Sequence, residues 1–209
     1  HLLDVANLIY SLGVESFDLI AHSFGGNPAA RYAAIYPDKV RKLVLIDAMG
    51  PNDSVLQYWA DQNTTERLRE WLEKQLSMRG SRKYFADVKA GCKKLKKANE
   101  LLTDAQALHL VETGVVSNEN GLRWKYDPLV GNTTLEDYAT HLREFWKEIH
   151  SPTLLCWGPK SWTTNPAEDG AKECFHNVTC QTFAESGHWL HHNQLDDFVI
   201  AARAFLQQE

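Results

Sequence analysis

One run of six residues constrains the fold of this chain more than any other. Lys42-Leu43-Val44-Leu45-Ile46-Asp47 is almost continuously apolar, which is the pattern of a strand buried on both faces of a parallel sheet. A second apolar run covers Phe17 to Ala21, and a helical segment from Ala29 to Tyr36 separates the two runs. Because parallel strands are joined by crossovers that are usually helical, these segments predict a β-α-β unit.

The same alternation returns near the end of the chain. Strands are predicted over Ser151 to Gly158 and Thr179 to Ala184, and helices over Pro166 to Glu173 and Asp196 to Leu206. A further amphipathic helix from Leu2 to Leu12 ends at a glycine. Strands that alternate with helices in this way predict an α/β fold with a doubly wound, mainly parallel sheet.

The middle of the chain has a different pattern. Residues 52–149 carry amphipathic helical segments without apolar strand runs, which predicts an all-helical insertion, or cap. The α/β core is then expected over residues 1–51 and 150–209. The four helices expected in the cap cover Thr65–Met78, Tyr84–Leu95, Thr103–Glu112 and Thr134–Ile149.

Composition excludes several classes of function. With 22 Lys and Arg against 27 Asp and Glu, the net charge is -5, and the basic stretch from Lys89 to Lys97 is interleaved with alanine and leucine. We therefore expect no nucleic-acid partner. Neither a membrane-spanning apolar run nor a secretory signal is visible, and four cysteines do not form a disulfide framework, so a cytoplasmic location is predicted.

The segment Ala21-His22-Ser23-Phe24-Gly25 stands where the first strand turns into its helix. Small residues two positions before and after a serine are typical of a nucleophile elbow, where the chain doubles back and lifts the hydroxyl above the sheet. The backbone N–H of Phe24, at the helix start, is predicted to donate to an oxyanion. A serine in an ordinary tight loop, or a phosphate-binding turn, is the alternative.

A serine hydroxyl needs a positioned base that removes its proton. His188, in Gly187-His188-Trp189, follows the last predicted strand and should lie at the same sheet edge as Ser23. His191 and His192 are nearby, but no carboxylate or cysteine stands at metal-ligand spacing with them, so we predict neither a metal nor a cofactor.

These segments, taken in order, resemble the α/β-hydrolase superfamily. The cap is similar to that of its serine hydrolase-like, esterase-type branch. The resemblance implies that Ser23 is the nucleophile and that His188 acts as general base and then as general acid. The segments that carry it are Ala21 to Gly26, Tyr36 to Asp47, Pro152 to Gly158, Gly187 to Trp189 and, in the cap, Leu95 to Thr103 and Gly121 to Trp124.

The third member of the triad departs from the family pattern. In the family, the acid follows the strand that ends here at Gly158, but Pro159-Lys160-Ser161-Trp162 contains no carboxylate. Asp47, at the end of the strand after the elbow helix, matches the alternative position used by some members. Glu168 or Asp169, or a dyad without an acid, stay open.

The resemblance also implies that the family's first strands, and the loop with the second oxyanion donor, precede His1. Loss of one such donor typically lowers the rate by about two to three orders of magnitude, so we expect this chain alone to be slow.

The function predicted is that of a serine hydrolase acting on a small, largely apolar ester or related acyl substrate through an acyl-serine intermediate. The predicted substrate contacts are His22, Trp189 and Trp59. Two alternatives remain: a non-catalytic ligand-binding or interaction protein on the same fold, favoured by Lys160 in the acid region, and a C–C bond hydrolase or cofactor-free oxygenase.

Overall fold

The computed structural model describes residues 1–50, 53–80, 83–130 and 141–208. The chain forms two compact units. The first, which we call the sheet unit, comprises residues 1–53 and 139–209, and the second, the insertion unit, comprises residues 54–138.

The sheet unit contains a four-stranded parallel sheet and the helices that pack on it. Its four strands lie side by side in the order β1 (Phe17–His22), β2 (Val40–Ile46), β5 (Thr153–Trp157) and β6 (Val178–Thr182). The doubly wound parallel sheet predicted from the sequence is confirmed. The elements are α1 (Leu2–Leu12), β1 (Phe17–His22), α2 (Gly26–Ile35), β2 (Val40–Ile46), α7 (Leu142–Lys147), β5 (Thr153–Trp157), β6 (Val178–Thr182), α8 (Leu190–Asn193) and α9 (Leu195–Gln207).

Both faces of β2 are buried, as its apolar sequence requires. Val44 and Ile46 pack in one cluster with Phe205 of α9. Leu43 and Leu45, which alternate with them and so face the other side of the sheet, are also buried.

The register of the sheet brings the strand ends together. His22 at the end of β1 lies opposite Ile46 of β2, and Ile46 lies opposite Cys156 of β5. The residues that follow β1, β2 and β5 therefore meet at one edge, where ligand sites of open α/β sheets are found.

The insertion unit is not all-helical, and that prediction was wrong. A two-stranded antiparallel hairpin follows the helix Asp104–Gly114, and Phe85 extends the pairing by a bridge to Leu122. Residues 119 and 120 form the hairpin's turn, and Gly121, the first residue of the second strand, has a φ of +112°. Its strands have four residues each, too short for alternation to be visible in the sequence. The elements are α3 (Asp53–Ala60, which begins at the boundary), α4 (Thr64–Met78), α5 (Val88–Ala98), α6 (Asp104–Gly114), β3 (Val115–Asn118) and β4 (Gly121–Trp124).

Two other segments differ from the sequence-based expectation. Helix α7 groups with the sheet unit, since Trp146 stacks on Phe175, whereas residues 142–149 were expected in the cap. The helix predicted over Pro166 to Glu173 is a series of turns with one 3-10 turn, Lys172–Cys174, because the Asp169 side chain accepts a hydrogen bond from the Ala171 N–H and Gly170 has a φ of +79°. The helix predicted from Thr134 lies partly outside the described residues.

None of the helices in the described ranges combines the length and hydropathy that a membrane crossing requires.

Candidate active site

Ser23 stands directly after β1 and begins a 3-10 turn, Ser23–Gly25, that leads into α2. Its φ is +52°, a left-handed conformation that costs a non-glycine residue about 1–3 kcal/mol. The half-buried strand β1 on one side and helix α2 on the other hold the serine in this conformation. The tight turn predicted at this position is therefore present.

The small residue that this turn requires is Gly26, one position later than expected. A Cβ on Gly26 would lie 2.3 Å from the Cβ of Ala48, whereas a Cβ on Gly25 would meet nothing within 4 Å among the described residues. Helix α2 can approach the chain beyond β2 because position 26 has no side chain.

His188 lies in the loop between β6 and α8. Its Nε2 is 2.7 Å from the Oγ of Ser23. The loop is fixed just before His188, because the Gly187 N–H donates to the Oδ1 of Asn193. The exposed ring of Trp162 packs beside the imidazole with ring centroids 5.3 Å apart. The serine and the histidine are thus brought together as the sequence predicts.

Asp47 follows β2 with a φ of +46°, and its side chain is 1% exposed. The Oδ2 of this carboxylate can only accept, so the His188 Nδ1 donates to it. In the neutral imidazole with hydrogen on Nδ1, the Nε2 carries no hydrogen and accepts from the serine hydroxyl. The carboxylate also accepts hydrogen bonds from the hydroxyls of Ser161, at 2.5 Å, and Thr163. A buried carboxylate that accepts this many hydrogen bonds is held in one orientation.

Ser161 and Thr163 are site residues that the sequence reasoning missed. They stand where the family acid would be, and each directs a hydroxyl at Asp47 instead. A signal was present: two hydroxyl residues in a loop that lacks its usual carboxylate suggest that the loop holds an acid supplied from elsewhere.

The alternative acids are engaged away from the imidazole. Glu168 accepts a hydrogen bond from the side chain of Asn165, and Asp169 accepts from the hydroxyl of Thr164. Lys160, the residue that favoured a non-catalytic protein, forms an exposed ion pair with Glu185.

His22 does not take the position expected of a substrate contact. Its Nε2 donates to the main-chain carbonyl of His188 at 2.8 Å, and its ring packs between those of His188 and His191, with centroids 4.9 and 4.5 Å away. Burial lowers the pKa of His22 below its ordinary value. His22 therefore holds the loop that carries His188.

His191 is buried beside three other histidines, His22, His188 and His192. Burial, reinforced by His22, His192 and His188, lowers the pKa of His191 to about 3. Across the described part of the chain, no three His, Cys, Asp or Glu side chains are arranged to hold a metal ion.

The remaining predicted site residues are Phe24, the expected oxyanion donor, and Trp189 and Trp59, the expected substrate contacts. Phe24 follows Ser23 in the 3-10 turn, with its ring edge-on to that of His1, and the ring of Trp189 packs on that of His192. Trp59 belongs to the insertion unit, where its carbonyl accepts a hydrogen bond from Arg67.

Comparison with known proteins places the chain in a family. Residues 2–194 match the family described as alpha/beta hydrolase fold. The chain is 25% identical to the sn-1-specific diacylglycerol lipase ABHD11 of Mus musculus over 97% of its own length and 63% of that protein. It is 26% identical to a serine hydrolase-like protein of Danio rerio over 61% of its own length and 39% of that protein. It thus spans less than two thirds of these relatives.

Solved structures show the same fold. The thioesterase domain from the curacin biosynthetic pathway superposes with a TM-score of 0.75 over 99% of this chain and 70% of that domain, at 22% identity. The parallel sheet and its strand order agree with the family match, which covers nearly the whole sequence. The chain belongs to the α/β-hydrolase fold family.

Proposed function

We propose that the protein is a serine hydrolase that cleaves a small, largely apolar ester or related acyl substrate through an acyl-Ser23 intermediate. The observation that carries this proposal is the continuous series of hydrogen bonds from the Ser23 hydroxyl through both nitrogens of His188 to the carboxylate of Asp47. This is the arrangement of a nucleophile, a base and an acid that orients the base.

In the first half of the reaction, the Oγ of Ser23 attacks the substrate carbonyl carbon and its proton passes to the Nε2 of His188. The carbonyl π electrons move onto oxygen, and the backbone N–H of Phe24 at the start of the elbow helix is a donor for this oxyanion. Asp47 accepts no proton. It holds the imidazole in the tautomer with hydrogen on Nδ1 and stabilises the imidazolium.

Collapse of the tetrahedral intermediate re-forms the carbonyl and breaks the bond to the leaving alcohol, which takes the proton from the His188 Nε2. In the second half, a water molecule gives a proton to the same nitrogen and attacks the acyl-Ser23 carbonyl. The carboxylic acid leaves, and the proton returns to the Oγ of Ser23.

Two further observations support this reading of the site. The ring of Trp162 is 68% exposed and packs 5.3 Å from that of His188, so an apolar wall lies beside the base. Lys160 pairs with Glu185 at the surface, so its charge does not occupy the place of the acid beside His188. An apolar acyl or alcohol group that packs on Trp162 would lie beside the His188 imidazole, whose Nε2 contacts the Ser23 hydroxyl.

The experiment is ester turnover with p-nitrophenyl acetate, butyrate and octanoate. We expect Ser23→Ala and His188→Ala to reduce kcat by at least about a thousandfold. Trp162→Ala should raise KM, most strongly for the longer acyl chains, with kcat nearly unchanged. The matched control for removal of an imidazole is His176→Ala, at an exposed histidine whose ring stacks on His150 and bonds the Lys147 carbonyl. Full turnover by Ser23→Ala would contradict the proposal.

A further inference from the structure

The insertion unit contains a cavity of about 250 Å³ that the proposed chemistry does not use. It lies where the end of α4, helix α5 and the end of β4 meet. Its walls include Met78, Lys94 and Trp124, together with Arg123 and Tyr126. All of these residues belong to one unit and to the described part of the chain.

Among the described residues that line this cavity, three are cationic and none is acidic. Lys83 comes from the loop before α5, Lys94 from α5 and Arg123 from β4. Helix α5 also carries Lys96, but the Lys96 side chain forms an ion pair with Asp104. No ion pair is formed by the three lining cations within the described ranges. Cations that converge without an acid repel one another, and an anion bound among them removes that repulsion.

The other wall is aromatic and held in place. The rings of Trp124 and Tyr126 are nearly parallel, with an angle of 17° and centroids 6.3 Å apart. Trp124 pairs with Val115 in the hairpin and packs on the ring of Phe85 at 5.4 Å. A ligand would therefore meet a preformed apolar surface.

Arg123 is restrained in the same region. One of its Nη atoms donates to the carbonyl of Trp124 at 3.2 Å, and the residue is half-buried. A guanidinium has five N–H donors in a fixed plane, so the others can bind a carboxylate or phosphate. Arg123 and Trp124, which supply the cation and part of the aromatic wall, are thus adjacent residues at the end of β4.

We propose that this cavity binds a small amphiphilic anion, a carboxylate or phosphate group carried on one aromatic ring or a short acyl chain. The volume is slightly below the 300–1,000 Å³ that is typical of ligand sites, which fits one ring and its anionic group. The anionic group meets Arg123 and Lys94, and the apolar part packs on Trp124. The cavity's described lining residues all belong to the insertion unit.

The test is isothermal titration of the 209-residue chain with phenyl phosphate and with phenylacetate. Benzyl alcohol supplies the ring without the charge, and inorganic phosphate supplies the charge without the ring. We expect at least one aryl anion to bind with a Kd below about 1 mM and at least tenfold more tightly than either control, with affinity that falls as salt is raised. Which aryl anion binds more tightly identifies the anionic group.

Lys94→Gln should weaken binding about three- to tenfold and Arg123→Gln about tenfold or more. Lys97→Gln, the same change on the same helix outside the cavity lining, should leave the Kd unchanged. Lys94 is exposed on α5, so its variant should fold normally. The proposal is overturned if neither aryl anion binds, if benzyl alcohol binds as tightly, or if the folded Lys94→Gln and Arg123→Gln variants keep the wild-type affinity.

Discussion

The carboxylate of Asp47 accepts a hydrogen bond from the Nδ1 of His188, a residue 141 positions further along the chain. The two meet because β2 and the loop after β6 end at the same edge of the sheet. Asp47 reaches the imidazole from a left-handed backbone conformation, which aspartate tolerates better than most residues. A carboxylate at the end of β2 thus contacts the imidazole, and the loop after β5 contributes hydroxyl groups that donate to it.

Asp47→Asn should leave the fold intact but lower kcat for p-nitrophenyl butyrate by about three to four orders of magnitude. The amide can donate to the Nδ1 of His188, which favours the tautomer with hydrogen on the Nε2 facing Ser23, and that tautomer cannot accept the serine proton. Glu168→Gln and Asp169→Asn are the matched controls, and both should retain kcat within about threefold. An inactive Asp169→Asn beside an active Asp47→Asn would contradict the assignment.

The paired change Ser161→Ala with Thr163→Val should lower kcat about ten- to a hundredfold and leave KM nearly constant. It removes two of the hydrogen bonds that hold the Asp47 carboxylate, so the imidazole is less well oriented. Because the carboxylate stays buried with fewer donors, stability should also fall by about 1–3 kcal/mol per lost donor.

Thr164→Val is the matched control, since its hydroxyl donates to Asp169 and not to Asp47. Steady-state kinetics and urea unfolding of the two variants separate the effects. Equal kcat values for the paired variant, the control and the wild type would show that the hydroxyls do not position the acid.

Gly26→Ala should destabilise the protein by about 1–3 kcal/mol, whereas Gly25→Ala should change the unfolding free energy by less than about 1 kcal/mol. A methyl group at position 26 would overlap Ala48, including its carbonyl oxygen at 3.1 Å, and would force α2 away from the chain after β2. Position 25 has ordinary helical dihedral angles and open space. Thermal unfolding of the two variants checks this, and a larger loss for Gly25→Ala would contradict the packing described here.

Much of the sheet unit could be predicted because burial on two faces leaves a strong pattern. The apolar runs predicted β2 and β5. Ser23 and His188 each follow a predicted strand, so their position at the edge of the sheet could also be predicted. The hairpin at Gly121 could not be predicted, since four-residue strands have too few positions to show a period. Turns stand after Pro166 where a helix was predicted. The Asp169 side chain accepts a hydrogen bond from the Ala171 N–H, and such a local bond competes with helix formation.

The site was less predictable than the fold. The hydroxyls of Ser161 and Thr163 act on a residue more than a hundred positions away, and only the strand order brings them together. His22 was expected to contact substrate, but its ring turns to the His188 carbonyl, a long-range contact that no local pattern encodes.

His191 should make the protein less stable as the pH falls from 7 to 5. Its folded pKa is lowered to about 3, so below pH 6.5 the unfolded chain takes up a proton that the folded chain does not. The stability present above pH 6.5 is lost progressively toward pH 3. Discounted for the solvent that reaches the ring, the loss by pH 5 is about 1 kcal/mol, or about 2–4 °C in Tm.

Differential scanning calorimetry of wild type and His191→Asn at pH 7 and pH 5 measures this contribution. The variant should lose less Tm between the two pH values than the wild type does. His109→Asn, which removes an exposed histidine on α6, should lose as much as the wild type. Identical Tm losses in His191→Asn and the wild type would contradict the burial of a neutral His191.

The most direct test of the central claim, that Ser23 is the nucleophile activated by His188 and Asp47, is to locate the adduct of a fluorophosphonate by peptide mass spectrometry. The predicted result is one phosphonyl group per chain on the peptide that contains Ser23. No adduct should form in Ser23→Ala, and its formation should be slowed by about a thousandfold or more in His188→Ala and Asp47→Asn. A phosphonyl group on another residue of the wild type, or an adduct that forms at the wild-type rate in Ser23→Ala, would contradict the claim.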